Sequence, residues 1–166
     1  MKIFYSMLFM VLATASLVGQ DFDMNKFTYK ELPFFAEKEQ IIKILGEPNK
    51  EFLPQNECGF LSTDSQSKVF YSLRYDYALY TGASGIKYLL EELSLEDGVE
   101  VSYDGHKLTN QTDLDELIAI FGMDVMGSLH DTYTGRYLVR SSNSDDGISF
   151  ILENGKVVKI RYWSPC

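Results

Sequence analysis

The segment Glu39-Gln-Ile-Ile-Lys-Ile-Leu-Gly46 recurs in different letters as Asp115-Glu-Leu-Ile-Ala-Ile-Phe-Gly122. Both copies run acid, polar residue, two aliphatics, a variable position, two apolars and glycine. Their offset of 76 residues is close to half of the 166-residue chain. Each apolar cluster fits one face of a short helix, and each glycine stands where a left-handed residue would end it. The chain therefore reads as two similar halves, each a helix on antiparallel strands.

Working outward from those helices, the first covers about Ala36 to Leu45 and is stopped by Pro48. It lacks a good N-cap. The second starts after Thr112, a favourable cap, with Asp115 as an imperfect capping-box partner. Ile41, Ile42, Leu45, Leu117, Ile118 and Phe121 are the expected core residues of the pair.

Between and after the helices the pattern is strand. Val69 to Leu79 alternates, with Tyr71, Leu73, Tyr75 and Tyr77 on one face, so these tyrosines are expected in the core. Gly59 to Thr63 fits a short strand, Thr81–Gly85 a turn, and Lys87 to Glu96 a further strand. Asp104-Gly105 and Asn154-Gly155 are strong two-residue hairpin signals. Arg136–Ser141, Gly147–Glu153 and Lys156–Trp163 make the last third sheet. The fold class is α+β, with seven or eight strands and one sheet face left open. Residues 21–35 read as an extended lead-in, 36–98 as the first half and 99–166 as the second, together one compact domain.

Residues 1–20 read as a signal peptide. Lys2 supplies a short positive region, an apolar run follows from Ile3 to Ala15, and Ala13-Thr14-Ala15 or Gly19 offers a cleavage site. The run is short of the roughly 20 residues of a membrane span, and Asp21 and Asp23 follow it where a stop-transfer flank would carry Lys or Arg. Export to a periplasm or to the medium is expected, without stable membrane insertion after cleavage.

The chain carries a net charge of −9, which removal of Lys2 lowers by one. That balance speaks against nucleic acid as a partner. Acids gather from Glu91 to Asp104 with no basic residue between them, as a solvated face or as a docking surface for a basic partner. Cys58 and Cys166 can pair after export or remain thiols. Closing a loop of about 100 residues would be worth roughly 4.7 kcal/mol before strain.

At Leu45-Gly-Glu-Pro48, after a short amphipathic helix and before antiparallel strands, the chain resembles a known superfamily. Its members are the helix-then-sheet repeats of the β-lactamase inhibitor protein and of outer-membrane assembly lipoproteins of the SmpA/OmlA type. The Gly-x-Pro signature and the strand from Gly155 to Ile160 carry the likeness. The second copy departs from it, with Gly122-Met-Asp124 where proline would stand third. The lipid-attachment cysteine of the lipoproteins has no counterpart, since the first cysteine is Cys58. The resemblance implies an exported, non-catalytic protein that grips another protein with its exposed sheet face.

Direct signs of chemistry are few. His106 and His130 are the two imidazoles, and His130-Asp131 alone would be the basis of a small hydrolase, a remote alternative. No catalytic residue, metal ligand set or cofactor motif is assigned. The oxygen-rich Ser141–Gly147 stretch lacks calcium-loop spacing and reads as a turn. Trp163 stands apart. It shares a strand face with Lys159 and Arg161, opposite Val158, Ile160 and Tyr162. Trp beside Arg is the composition favoured at binding hot spots. Lys159, Arg161 and Trp163 are therefore the candidate partner-binding residues, and another protein is the expected partner. The alternative is a structural component or scaffold of the cell envelope.

Overall fold

The computed structural model describes residues 22–54, 68–122 and 135–165. The candidate cysteines Cys58 and Cys166, the strand expected at Gly59–Thr63, the leader and His130-Asp131 lie outside them.

After a 3₁₀ turn at Met24–Lys26, the chain forms β1 (Phe27–Tyr29) and β2 (Leu32–Pro33). The Lys30-Glu31 corner between them has φ of 48° and 68°. Positive φ at both central residues is what a type I′ hairpin turn requires. Glycine and asparagine are both missing from that corner, so composition gives no sign of it. Residues 21–35 thus hold a hairpin where a merely extended lead-in was expected. β3 (Phe35–Ala36), α1 (Lys38–Leu45), β4 (Lys50–Phe52), β5 (Phe70–Arg74), β6 (Ala78–Ala83) and β7 (Tyr88–Ser94) follow. The second half runs β8 (Val101–Tyr103), β9 (His106–Leu108), α2 (Leu114–Phe121), β10 (Arg136–Arg140), β11 (Gly147–Glu153) and β12 (Lys156–Trp163).

The α+β class is as expected, but the described residues hold twelve strands in two antiparallel sheets. The additional strands are two or three residues long, too short for periodicity to register. A small sheet has the order β2-β1-β8-β9. A large one has the order β10-β11-β12-β7-β6-β5-β4, with β3 also paired to β7.

Each half is built as hairpin, helix and meander, the meander having four strands in the first half (β4–β7, with β3 added beside β7) and three in the second (β10–β12). The halves meet at the centre of both sheets, β1 against β8 and β7 against β12. Leu93 and Ile160 are partners at the second junction. A bulge leaves Glu91 without a partner on β6, and another leaves Val158 without one on β11. Each extra residue stands two before its junction residue. The consequence is the same in both strands: Leu90 with Leu93, and Val157 with Ile160, reach the core at a spacing of three. An uninterrupted strand alternates by two and could not do this.

The helices repeat in equal detail. Gly46 and Gly122 end them with φ of 84° and 80°, and their amides donate to the carbonyls of Ile42 and Ile118. Their ψ values of −171° and 155° place them outside the left-handed helical well expected from sequence, in an extended positive-φ region open essentially to glycine alone. Ile41 and Leu117 are both fully buried, as is Phe121 within 2%. Ile42, Leu45 and Ile118 are only half-buried.

The starts differ. Glu37 caps α1 without a side-chain bond. α2 begins at Asp113 rather than Thr112. Asp113 accepts from the Glu116 amide at 3.0 Å, and Glu116 accepts from the Asp113 amide at 2.9 Å. That complete capping box satisfies two orphan donors at once. The Thr112 hydroxyl is occupied by the Thr109 amide instead.

Two further expectations change. Val69 to Leu79 is not one strand, because the Tyr75 amide donates to the Ala78 carbonyl and turns β5 into β6. Tyr75 is buried, but Tyr71 and Tyr77 are 39% and 37% exposed. In the last hairpin, Asn154 and Gly155 have φ of 51° and 77°, as a type I′ turn needs. The bulge that follows puts Val157, not Val158, in the core; Ile160 is buried and Tyr162 half-buried.

The core is aromatic at its centre. The ring of Phe27 lies 4.7 Å from Tyr103, 6.2 Å from Phe121, 6.4 Å from Phe150, 6.3 Å from Phe34 and 6.0 Å from Phe22. It joins the small sheet, α2 and the large sheet. Phe27→Ala is expected to cost about 3–5 kcal/mol and Leu117→Ala about 2–5 kcal/mol, measured by urea unfolding. A loss below about 0.5 kcal/mol would place either residue outside the core.

The α2 cap makes a pH prediction. The Glu116 amide, and then Lys156, hold the Asp113 carboxyl below its ordinary range. A depressed folded-state value stabilises fully above the unfolded pKa of about 3.9 and is lost as pH falls through the folded value. Asp113→Ala should therefore lower the melting temperature at neutral pH. The gap to the parent protein should close as pH is taken below about 3.9.

Candidate functional site

The face of the large sheet turned away from the core is set by strand register, since residues paired across strands share a face. One row crosses all seven strands of the main path: Lys50, Arg74, Leu79, Glu92, Arg161, Ser149 and Leu138, of which Leu79, Ser149 and Leu138 are buried and the charged residues are the accessible part. Beside it runs Ser94, Lys159, Ile151 and Arg136, and at the end Trp163, Gly147 and Arg140. Lys159, Arg161 and Trp163 thus stand together opposite Ile160.

They are not loose. The Glu92 carboxylate lies 3.2 Å from Lys159 Nζ, 3.4 Å from Arg161 Nε and 3.5 Å from Arg74 Nη1. Its side chain is 17% exposed, while the three cations are 33–46% exposed. One half-buried acid on β7 therefore fixes three half-exposed bases from β5 and β12. The half-buried indole of Trp163 carries the Arg140 guanidinium over its ring at 5.1 Å. Gly147 lies between those two residues in the row, and with no side chain it leaves the space over which they meet. A Cβ at Gly147 would also collide with the Val139 carbonyl oxygen and stand 3.0 Å from Arg140 Cα.

A second polar feature adjoins the row. Glu91, the bulge residue of β7, accepts from the Thr81 hydroxyl at 2.6 Å, which lies 2.7 Å from the Ser72 hydroxyl. All three are buried. On the core face, Tyr162 donates to Asp146 at 3.0 Å. Burial first, then that carboxylate, push its phenol well above the usual tyrosine range.

The other candidates do not gather into a site. His106 is exposed on β9. Asp146 and Ser144 bond within the Ser141–Gly147 connection, and the Ser141 amide donates to the Asp146 carbonyl, so this stretch is a turn. The acids from Glu91 to Asp104 do not form one surface. Glu92 faces Arg161, Glu100 pairs with Lys107, Asp104 pairs with Lys26, and Asp97 accepts from Asn110. A cleft of about 340 Å³ between the Lys30-Glu31 corner and residues 97–100 is lined by Tyr29, Tyr77 and mixed charges. No helix among the described residues is long and apolar enough to cross a membrane.

Sequence reasoning named three of these residues and missed Glu92, Arg74, Arg140 and Gly147. Alternation from Leu93 sends Glu92 outward, but its neighbours Arg161 and Arg74 come from strand pairings that periodicity does not supply. No family model, curated protein or solved structure matches this chain.

Trp163 is the chain's single tryptophan, so its fluorescence reports this face alone. Arg140→Ala should shift the emission to the red and raise quenching by iodide, because the indole loses its cover. Lys107→Ala, on β9, should leave both unchanged. An unaltered spectrum in Arg140→Ala would show that the stacking is not maintained in solution.

Proposed function

We propose that this chain is an exported, non-catalytic binding module that grips another protein with the outer face of its large sheet. The observation that carries the reading is the fixed group of Lys159, Arg161 and Trp163. Two are held by Glu92, and the third is stacked under Arg140. Side chains held in place before contact have less conformational entropy to lose on binding. Trp and Arg are also the residue types that most often dominate interface energies. Supporting it from the sequence are the apolar run after Lys2, which fits export, and the resemblance to helix-plus-sheet inhibitor and assembly proteins.

The test is a matched measurement. A photo-crosslinking residue at position 161 should capture a protein in cells that one at position 107 does not. With that protein in hand, Trp163→Ala should weaken affinity by at least about 2 kcal/mol while the melting temperature moves little. A large fall in melting temperature with unchanged affinity would make Trp163 structural and remove this face from consideration.

A further inference from the structure

We infer that the outer face takes an extended acidic segment of a protein, with carboxylates at alternate residues followed by an apolar side chain. This rests on the docking reading above and adds the chemistry of the partner. The chain is acidic as a whole, at −9, but its charges are segregated. Lys26, Lys38, Lys107 and Lys156 are each neutralised by a carboxylate away from the three outer rows. In those rows Lys50, Arg74, Arg136, Arg140, Lys159 and Arg161 stand against Glu92, with a second carboxylate, Glu91, buried beside them. One carboxylate cannot neutralise the three cations it touches. Among the described residues Arg136 has no carboxylate partner, and Arg140 rests on an indole.

The guanidinium donors point to an acceptor-rich ligand. Among the described residues Arg161 meets Glu92 through Nε and Arg74 meets it through Nη1, one donor group of each fork. Spacing selects the form of that ligand. Lys159, Arg161 and Trp163 are alternate residues of β12, about 6.7 Å apart along the strand. An extended partner has the same repeat, so acid, acid and apolar groups on its alternate residues fall into register with them. A nucleic acid fits less well, because the −9 chain opposes the dense charge of a polyanion outside this face.

The full chain is titrated with a short synthetic peptide alternating Glu and Thr and ending in Leu, with Trp163 emission as the readout. The controls are the same peptide with Lys for Glu, and oligothymidylate. The expected result is a saturable change with the acidic peptide alone, weakened when salt is raised from about 0.05 to about 0.5 M. Arg161→Glu should lower its affinity at least about ten-fold and confer binding of the Lys peptide. Lys107→Glu should do neither. If Arg161→Glu melts early, Arg161→Gln should still give a clear loss.

Equal binding of the Lys peptide, or binding of oligothymidylate in place of the acidic peptide, would overturn the inference. Absence of any saturable response, with crosslinking from position 161 intact, would overturn the acidic chemistry and leave the docking face standing. Failure of both experiments would remove both.

Discussion

The packing of Phe27 is the constraint from which the rest of the architecture follows. A two-sheet protein needs something to hold the small sheet over the large one, and here no main-path strand is shared between them. The link is made by rings. Phe27 and Tyr103 come from the two strands that join the halves in the small sheet, Phe121 from the last turn of α2, and Phe150 from β11. Offset and tilted aromatic pairs are worth about 0.5–1.5 kcal/mol each beyond the area they bury. Because one residue serves several pairs, those contributions are coupled and should not add independently.

That packing leaves the opposite face of the large sheet to do something else. With one face committed to the aromatic core, the period of two sends Arg74, Glu92, Lys159, Arg161 and Trp163 outward together. The bulges at Glu91 and Val158 set the junction between halves, so that Glu92 of one half stands opposite Arg161 of the other. Half-exposed ion pairs contribute only about 0–1 kcal/mol to stability. The Glu92 cluster is therefore better understood as an ordering device. Long cationic side chains carry up to about 2 kcal/mol of rotamer entropy each, and Glu92 removes part of it before any partner arrives.

Much of this was legible in the sequence, and what was not has physical reasons. The helix repeat, the two Gly-containing hairpins and the strands from Arg136 onward followed from periodicity and turn chemistry. The candidate face was reached in part, because alternation alone placed Trp163 with Lys159 and Arg161. Three features escaped. The Lys30-Glu31 hairpin adopts positive φ without the residues that favour it. The Tyr75–Tyr77 turn preserves an alternating pattern across a reversal of direction. The bulges shift one residue in each central strand, so a period-two reading assigned Val158 rather than Val157 to the core. In each case tertiary packing overrode a local signal.

The repeat and the charge asymmetry together bear on how a face of this kind arises. The halves share hairpin, helix, glycine geometry and bulge position, but the outer rows do not share charge. By bulge register Glu92 in β7 corresponds to Lys159 in β12, and Ser94 to Arg161. An internally symmetric pair would set like charges against each other across the junction, which costs stability. An acid in one half opposite a base in the other, Glu92 against Arg161, avoids that repulsion. It leaves Arg74, Arg136 and Arg140 around the pair as surplus positive charge. The core-facing partners Leu93 and Ile160 are both apolar and buried. The two halves thus match where packing demands it and differ along the outer rows, and the asymmetry there is what gives the face a sign.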